Sequence, residues 1–361
     1  MPSAASSSSS AFSSPRSSMD YAAPRWLPGG NLQTIWAALY ARRFEGKAPV
    51  YRRERWNAPD GDFVDVDFVD APLPGPRPLL VLFHGLEGSS RSHYAEAFAA
   101  FAAEQGMAFA VPHFRGCSGE MNLAPRAYHS GDYEEIGWIL RRMHDQHSLR
   151  NDGGGGPVLA VGVSLGGNAL LRWACEAGDT ARASVSAVAS VCAPLDLAAG
   201  GQAIGQGFNR LVYTRMFLST MKPKAMAKLA QFPGLFDRER LLAARDLYTF
   251  DDVFTAPLHG FRNADDYWAR GSSKPHLSQI RVPTLVVNAL NDPFIPARSL
   301  PGPGDVGRHV TLWQPAHGGH VGFPMGLPPG HVRGMPERVG AWLQAHGGAL
   351  ADVRVAQPAG E

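Results

Sequence analysis

One five-residue stretch, Gly162-Val163-Ser164-Leu165-Gly166, constrains the fold of this chain more than any other feature. A short apolar run precedes it at 157–161, and a helix-like run follows it at 167–174. A strand, a sharp turn and a helix in this order form the turn that lifts a serine hydroxyl above the edge of a sheet. The flanking glycines have a steric role, because the strained turn packs strand against helix where a Cβ would clash. The pattern therefore predicts that Ser164 is a nucleophile.

Short apolar runs alternate with helical patterns from about residue 60, which is typical of a mostly parallel sheet with helices on both faces. Val64, Val66 and Phe68 alternate with Asp65 and Asp67, which predicts a half-exposed first strand. Further strands are predicted at 79–83, 107–111, 157–161, 185–191, 283–289 and 309–313, and helices at 93–105, 132–147 and 335–346.

The segment 196–270 has no strand alternation and is rich in large apolar residues, which predicts a helical cap inserted between two strands. The large apolar residues are Phe208, Tyr213, Met216, Phe217, Phe232, Phe236, Phe250, Phe254, Tyr267 and Trp268. The predicted organisation is a Ser-rich disordered tail at 1–20, one α/β domain at 21–350 that carries the cap, and a loose tail at 351–361.

A serine hydroxyl is a poor nucleophile at neutral pH, so it needs an adjacent base, and the base needs an acid that fixes its tautomer. In a sheet of this kind the partners follow the serine in the order acid, then histidine, each just beyond a later strand. Asp292 lies just beyond the strand that ends near Leu290, and His320 lies beyond the strand that ends near Trp313. We expect Asp292 and His320 to fill these positions.

Other residues are candidates for the same roles. Asp305 precedes a strand and the pair Asp251 and Asp252 lies in the cap, so both are weaker candidates for the acid than Asp292. His317 follows the same strand as His320, and position alone favours neither histidine. The two histidines are also three residues apart, as in some metal sites, but no Asp, Glu or Cys cluster stands nearby, so we expect no metal.

The reaction also needs two N–H donors for the negative oxygen that forms when the serine attacks a carbonyl. The fold supplies one from the residue after the nucleophile, Leu165, and one from an early loop, where Leu86 is the expected donor. His84 directly follows a strand and is expected to shape this loop rather than to act as a base. Cys117 lacks a base in the right place, so we interpret it as a structural cysteine and not as a thiol nucleophile. Most aromatic residues of the cap are expected to form its core, and a few to line an apolar acyl pocket above Ser164.

Composition excludes several functional classes. The formal net charge is +2 with no long Lys/Arg run, so nucleic-acid binding is not expected, and the group Arg52, Arg53 and Arg55 is interpreted as a solvated face. Three cysteines without C-x-x-C spacing indicate a reducing compartment, so a cytoplasmic location is predicted. No apolar run reaches the roughly 18 residues of a membrane-spanning helix, and the Ser-rich start lacks the apolar core of a secretory signal.

Eight segments together resemble the YheT-like branch of the α/β-hydrolases, whose eukaryotic relatives are the abhydrolase-domain lipases. The segments are 26–34 (WLPGGNLQT), 84–89 (HGLEGS), 113–119 (HFRGCSG), 128–131 (YHSG), 162–168 (GVSLGGN), 255–261 (TAPLHGF), 291–294 (NDPF) and 317–323 (HGGHVGF). The resemblance covers about residues 24–345 and implies the α/β-hydrolase fold, with a mostly parallel sheet and an inserted helical cap. It also implies Ser164 as nucleophile, Asp292 as acid and His320, the second histidine of its motif, as base.

For the activity, the resemblance implies a serine hydrolase that cleaves carboxylic esters and needs no cofactor. Its partner would be a small-molecule ester, expected to carry an apolar acyl chain. Two alternatives remain. One is a thioesterase, lipase or acyltransferase with the same three residues, because these residues define an acyl-enzyme and not its donor or acceptor. The other is a non-catalytic binding protein, which the intact set of Ser, Asp and His disfavours.

Overall fold

One eight-stranded sheet forms the centre of the protein, for which a computed structural model describes residues 19–72, 75–150 and 155–348. The strands are β1 (Arg52–Asn57), β2 (Phe63–Val69), β3 (Leu79–Phe83), β4 (Ala108–Pro112), β5 (Val158–Val163), β6 (Ala187–Val191), β7 (Thr284–Val287) and β8 (Val310–Trp313). Their order is β1-β2-β4-β3-β5-β6-β7-β8, and β3 to β8 are parallel while β1 and β2 are antiparallel to their neighbours. The predicted α/β fold class with a mostly parallel sheet is confirmed.

Helices cover both faces of this sheet, so its central strands are apolar throughout rather than alternating. Four helices precede β6: α1 (Gly30–Leu39), α2 (His93–Glu104), α3 (Tyr133–Arg150) and α4 (Leu165–Ala177). The last helix is α12 (Gly334–Gly347). In β3, Leu79, Val81 and Phe83 belong to the same core as α3 and α4, whereas Leu80 and Leu82 belong to the core with α2 and α12. This two-residue period is what a strand between two helical layers requires.

Between β6 and β7 the described chain is helical. It forms α5 (Leu197–Ile204), α6 (Gly207–Asn209), α7 (Arg215–Gln231), α8 (Arg238–Ala243), α9 (Leu247–Phe250), α10 (Ala256–Leu258) and α11 (Ala264–Gly271). A single π turn at Arg210–Thr214 joins α6 to α7, and a second at Asp251–Thr255 joins α9 to α10. Elsewhere in the described chain, short 3₁₀ turns lie at Gly178–Ala183, Lys274–Gln279, Ala297–Ser299 and Pro303–Asp305. A separate apolar core that includes Leu218, Leu241, Phe250 and Phe254 holds these helices together. We use the word cap for the predicted segment 196–270.

The predicted tails lie, except for residues 19 and 20, outside the described residues. Among the helices of the described part, none has the length and apolar character needed to cross a membrane.

The prediction of a half-exposed first strand is wrong, because both acidic residues of β2 are buried. Arg53 and Arg55 of β1 lie directly opposite Asp67 and Asp65 in the antiparallel register, and each arginine makes two hydrogen bonds of 2.7 and 2.9 Å to its carboxylate. The arginine group interpreted as a solvated face therefore forms ion pairs that attach the edge strand β1 to the sheet. Strand β1 and helix α1 were not predicted, since one is mostly polar and the other is short.

We predict that Asp67→Asn destabilises the fold, because Asp67 joins three different elements. Its carboxylate accepts hydrogen bonds from Arg53, from His113 Nε2 at 2.9 Å and from Ser90 Oγ at 2.6 Å. The expected loss is about 1–3 kcal/mol in the free energy of unfolding measured with urea at pH 7. Asp70→Asn is the control, because Asp70 is exposed and pairs only with Arg52 at the surface, so a change below about 0.5 kcal/mol is expected.

The destabilisation should also depend on pH. Burial would raise the pKa of Asp67, but the hydrogen bonds from Arg53, His113 and Ser90 outweigh burial and hold this pKa well below its usual value. The ionised carboxylate therefore stabilises the native state above the unfolded-state pKa of about 4, and this contribution is lost as the pH falls below that value. The difference in the free energy of unfolding between wild type and Asp67→Asn should therefore shrink as the pH is lowered. A difference that stays constant with pH would contradict this account.

Candidate active site

Ser164 occupies a strained turn between β5 and α4. Its backbone angles are φ +52° and ψ −120°, a conformation that side-chain-bearing residues rarely adopt. The two glycines of the motif allow the close approach that the turn needs. A Cβ on Gly162 would lie 2.4 Å from the carbonyl oxygen of Gly166, and a Cβ on Gly166 would lie 2.4 Å from that of His84. The turn is also fixed to β6, because the Ser164 N–H donates to the Val191 carbonyl at 2.8 Å.

The structure brings Ser164, His320 and Asp292 into one line of hydrogen bonds. His320 Nε2 lies 3.0 Å from Ser164 Oγ, and His320 Nδ1 lies 2.9 Å from Asp292 Oδ2. Since an ionised carboxylate only accepts, Nδ1–H donates to Asp292, which leaves the Nε2 lone pair directed at the serine hydroxyl. The other oxygen of Asp292 accepts the Phe294 N–H at 2.8 Å, and the Asp292 side chain is fully buried. This arrangement can take a proton from a serine that attacks an electrophile.

Within the described part of the chain, none of the alternative residues forms a hydrogen bond with Ser164 or with the His320 ring. His317 is exposed and lies 3.4 Å from the Asn291 amide through Nδ1, so it and His320 do not converge on one point. Asp305 accepts the Gly302 N–H in a surface turn, and Asp252 forms an exposed pair with Arg240. Asp251 is half-buried in the cap, where its carboxylate accepts hydrogen bonds from Thr255 Oγ1 at 2.6 Å and Trp268 Nε1 at 2.8 Å.

His84 and Cys117 have the electrostatic character of structural residues. Burial lowers the pKa of His84 to about 3, and the neutral ring bridges two loops by donating to the Gly85 carbonyl at 2.8 Å and accepting the Phe114 N–H at 3.1 Å. Burial raises the pKa of the Cys117 thiol to about 11, despite the nearby Lys224 ammonium. Cys117 is therefore a protonated thiol at neutral pH and not an activated nucleophile.

The expected oxyanion donors, Leu86 and Leu165, both lie at the cavity that contains Ser164 and His320. Among the described residues, neither backbone N–H has a hydrogen-bond partner. The loop that carries Leu86 packs directly on the serine, since a Cβ on Gly85 would lie 3.2 Å from the Ser164 Cβ. Two unpaired N–H groups beside a nucleophile are the requirement for stabilising a developing oxyanion.

Helix α1 holds the loop that carries His320, a role the sequence did not reveal. The Thr34 hydroxyl accepts the His320 N–H at 2.8 Å, and the Gln33 amide oxygen accepts the Gly318 N–H at 2.9 Å. Asn291 completes the contact by accepting the Gly319 N–H at 3.0 Å. The signal was present in the segment 26–34, which resembled the family without a role being assigned to it.

Cys192 supports the other side of this loop. Its Sγ accepts the Val321 N–H at 3.3 Å, and the ligand atoms of Cys192, Asp292 and His320 lie within 4.8 Å of one another. Burial, and secondarily the Asp292 charge, raises the pKa of this thiol well above its usual value, so it remains protonated. The thiol therefore acts beside the Asp292 carboxylate as a neutral polar group.

Asn168, on the first turn of α4, ties the serine turn to the cap. Its side-chain NH₂ donates to the carbonyls of Ser130 at 2.9 Å and Gly271 at 2.8 Å, and its oxygen accepts the Ser273 N–H at 3.1 Å. Asn168 is fully buried. One amide thus joins the nucleophile helix, the 128–131 loop and the end of the last cap helix.

A largely apolar cavity lies above Ser164 and extends under the cap. We call it the serine chamber; it encloses about 740 Å³, including its mouth. Besides Ser164, His320, Leu86 and Leu165, it is lined by Leu197, Ile204, Phe217, Leu247, Trp268 and Phe294, among others. The Phe294 ring lies 4.1 Å from the His320 ring, centre to centre, and packs against the imidazole.

Comparisons with known proteins agree with this fold. A family model described as "alpha/beta hydrolase fold" matches residues 78–326. The Escherichia coli (strain K12) protein named "Putative esterase YheT" is 37% identical over 333 residues, which are 91% of this chain and 94% of that protein. The Mus musculus protein named "Phospholipase ABHD3" is 28% identical over 85% of this chain and 75% of its own length. A solved Pyrococcus furiosus esterase, Pf2001, is alike in fold alone, with a TM-score of 0.51 at 15% identity over 85% of this chain and 98% of that one.

We predict that Thr34→Val slows the reaction of Ser164 with a fluorophosphonate probe about 10-fold, because the His320 loop loses a fixed contact and small misplacements are costly. The measurement is the second-order labelling rate, taken beside a thermal unfolding curve. Thr180→Val is the matched control, since the Thr180 hydroxyl contacts only the Ala177 carbonyl at the surface. Equal labelling rates in the two variants would show that Thr34 does not position the histidine.

Proposed function

The chain belongs to the α/β-hydrolase fold family, in the branch of the E. coli protein YheT, and is a hydrolase of ester bonds; we propose that it is a serine carboxylesterase. Ser164 is the nucleophile, His320 the general base and Asp292 the acid that orients it. One observation carries this proposal. It is the continuous line of hydrogen bonds of 3.0 and 2.9 Å that starts at a serine held in a strained turn.

In the first half of the reaction, Ser164 Oγ attacks the ester carbonyl carbon while His320 Nε2 takes the hydroxyl proton. Asp292 stabilises the imidazolium that forms and does not itself become protonated. The carbonyl oxygen becomes negative and accepts hydrogen bonds from the N–H groups of Leu86 and Leu165. The tetrahedral intermediate then breaks its bond to the alcohol oxygen, which receives the proton from His320 Nε2, and an acyl-enzyme remains.

In the second half, water replaces the alcohol beside His320. The imidazole takes a proton from this water as it attacks the acyl-enzyme, and the same two N–H groups hold the second oxyanion. The bond between the acyl carbon and Ser164 Oγ breaks, His320 returns the proton to the serine, and a carboxylic acid leaves. Apart from the ester and the water, every group in these steps belongs to this chain.

The proposed substrate is a small-molecule ester with an apolar acyl chain. The apolar residues around the expected oxyanion donors Leu86 and Leu165, beside Ser164, support it, because burying hydrocarbon in such a site is favourable by about 25 cal/mol per Å². The names of the relatives point in the same direction, since one is called an esterase and another a phospholipase.

We predict that a fluorophosphonate probe labels Ser164 and that peptide mapping finds the adduct on this residue. In Ser164→Ala the label should disappear and kcat should fall by about 10⁵ to 10⁶, because the three residues act as a unit. A loss of activity below 10-fold would contradict the assignment of the nucleophile.

The two histidines of the 317–323 segment provide an internal control for the base. His320→Ala should lose activity to about the extent of Ser164→Ala, whereas His317→Ala should stay within about 3-fold of wild type, since His317 does not face the serine. The reverse result would assign the base to His317.

We predict that Asp292→Asn lowers kcat by up to about 10⁴, because an amide favours the wrong tautomer of the histidine. Asp305→Asn is the matched control, since Asp305 lies in a surface turn, and its kcat should be unchanged. Both variants are measured on the same p-nitrophenyl ester, with thermal unfolding as a check on folding. Full activity of Asp292→Asn would mean that another residue is the acid.

A further inference from the structure

A second cavity meets the serine chamber at the oxyanion donors. We call it the side chamber; it encloses about 580 Å³, including its mouth, and lies between the loops after β3 and β4, the 121–129 segment and cap helix α7. The residues that line both chambers are Leu86, Leu165, Met221, Asp251 and Tyr267. Of the described residues, Ser164 and His320 line the serine chamber and do not line the side chamber. The two chambers therefore border each other at the residues whose N–H groups would hold the carbonyl oxygen of a bound ester.

The geometry of ester cleavage decides which part of the substrate each chamber receives. In the tetrahedral intermediate, the former carbonyl carbon carries four groups: Ser164 Oγ, the oxyanion, the alcohol oxygen and the acyl chain. The oxyanion must lie at the N–H groups of Leu86 and Leu165, and the alcohol oxygen must lie beside His320 Nε2 to receive its proton. The acyl chain takes the remaining direction, away from His320, and the side chamber, which His320 does not line, is the cavity on that side.

We propose that the acyl chain of the substrate lies in the side chamber and that the alcohol lies in the serine chamber. This inference rests on the proposed esterase function and assigns the two substrate arms within it. It differs from the expectation that the acyl pocket lies above Ser164, because the whole histidine side of the serine is needed for the leaving alcohol.

The walls of the side chamber suit a hydrocarbon chain. Its apolar lining comes from Met121, Ala127, Ala225, Phe250 and Phe254, together with Met221 at the junction. A hydrocarbon placed there leaves water without leaving any polar group of the substrate unpaired.

The polar groups of the side chamber pair with one another and limit the length of the chain. The Lys224 ammonium lies 2.9 Å from the Glu87 carboxylate, to which the Tyr128 hydroxyl also donates at 2.9 Å. The Lys228 ammonium donates to the carbonyls of Asn122 at 2.8 Å and Ala124 at 2.9 Å. Both ammonium groups already have hydrogen-bond partners, and the Asp251 carboxylate at the junction accepts hydrogen bonds from Thr255 and Trp268, so these groups do not call for a charged acyl group. A chain that reaches them would displace ion-pair contacts, which favours acyl chains of limited length.

The test uses two series of ester substrates, one that varies the acyl chain and one that varies the alcohol. Both series are measured on two variants, each of which places a larger side chain in one of the chambers. The acyl series is a set of p-nitrophenyl esters from acetate to palmitate, with one constant alcohol. The alcohol series is a set of acetate esters of alcohols from ethanol to decanol, whose hydrolysis is measured as the release of acid. Ala127→Leu fills the side chamber, and Leu247→Trp fills the serine chamber at a wall that the side chamber does not share.

We expect Ala127→Leu to lower kcat/KM about 10-fold or more for the longest acyl chain that the wild type accepts, and less than about 3-fold for the acetates. Leu247→Trp should do the converse: it should discriminate against the larger alcohols and leave the acyl-length profile unchanged. The assignment of the acyl chain and the alcohol to the two chambers is overturned if Ala127→Leu discriminates by alcohol size and Leu247→Trp by acyl length. It is also overturned if each variant affects both series equally. Because Ala127→Leu could disturb packing, Met121→Ala is the second variant, and it should move the acyl-length optimum to longer chains.

Failure of this assignment is distinguishable from failure of the esterase proposal. Every variant is first labelled with the fluorophosphonate probe, which reports only an activated Ser164. Absence of labelling in the folded wild type overturns the proposed function and the assignment with it. If labelling is normal but the two variants affect the opposite substrate series, or both series equally, the assignment of the chambers alone is overturned.

Discussion

The close approach of three backbone segments at Ser164 is the constraint on which the rest of the site depends. Gly162 and Gly166 allow β5 and α4 to meet without room for a Cβ, and Gly166 also contacts the carbonyl of Phe83 at the end of β3. The same contact that strains the serine therefore brings the loop after β3 beside it, and with that loop comes the N–H of Leu86. A strained residue persists only where its surroundings determine its conformation, and here neighbouring strands do so.

The histidine side of the site is built differently, from side chains that hold a loop. Val321 and Phe323 have φ of +57° and +43°, which is costly for residues with a Cβ, and above all for a β-branched valine. The loop keeps this shape because α1 on one side and the Cys192 thiol on the other accept its N–H groups. The buried Phe323 ring fixes its far end in the core. Ser164 is thus positioned by the sheet, and His320 by contacts between segments about 285 residues apart.

The sequence predicted the parts that depend on local pattern. The strand at 79–83 has the predicted bounds, and β4 to β8 lie within a few residues of theirs, because buried parallel strands are continuous apolar runs between turns. Strand β1 was not predicted, since its stability comes from arginines that pair with β2 and not from apolar residues. The choice between His317 and His320 could not come from position, because both follow β8. Their orientation depends on a turn through two glycines and on α1, which is about 285 residues away in the chain.

The amide of Asn168 has a consequence for how far this protein can be divided. It is completely buried, and its hydrogen bonds join it to the Ser130 carbonyl, to the carbonyl of Gly271 at the end of α11 and to the N–H of Ser273, two residues further on. A sheet from which the cap had been removed would lose helix α11, which fixes the position of two of these three partners, and a buried amide without partners is costly. The cap is therefore structurally connected to the segment that carries Ser164 and is not an independent lid. The position of the helix that follows Ser164 and the packing of the helices that cover it are coupled through this one buried amide.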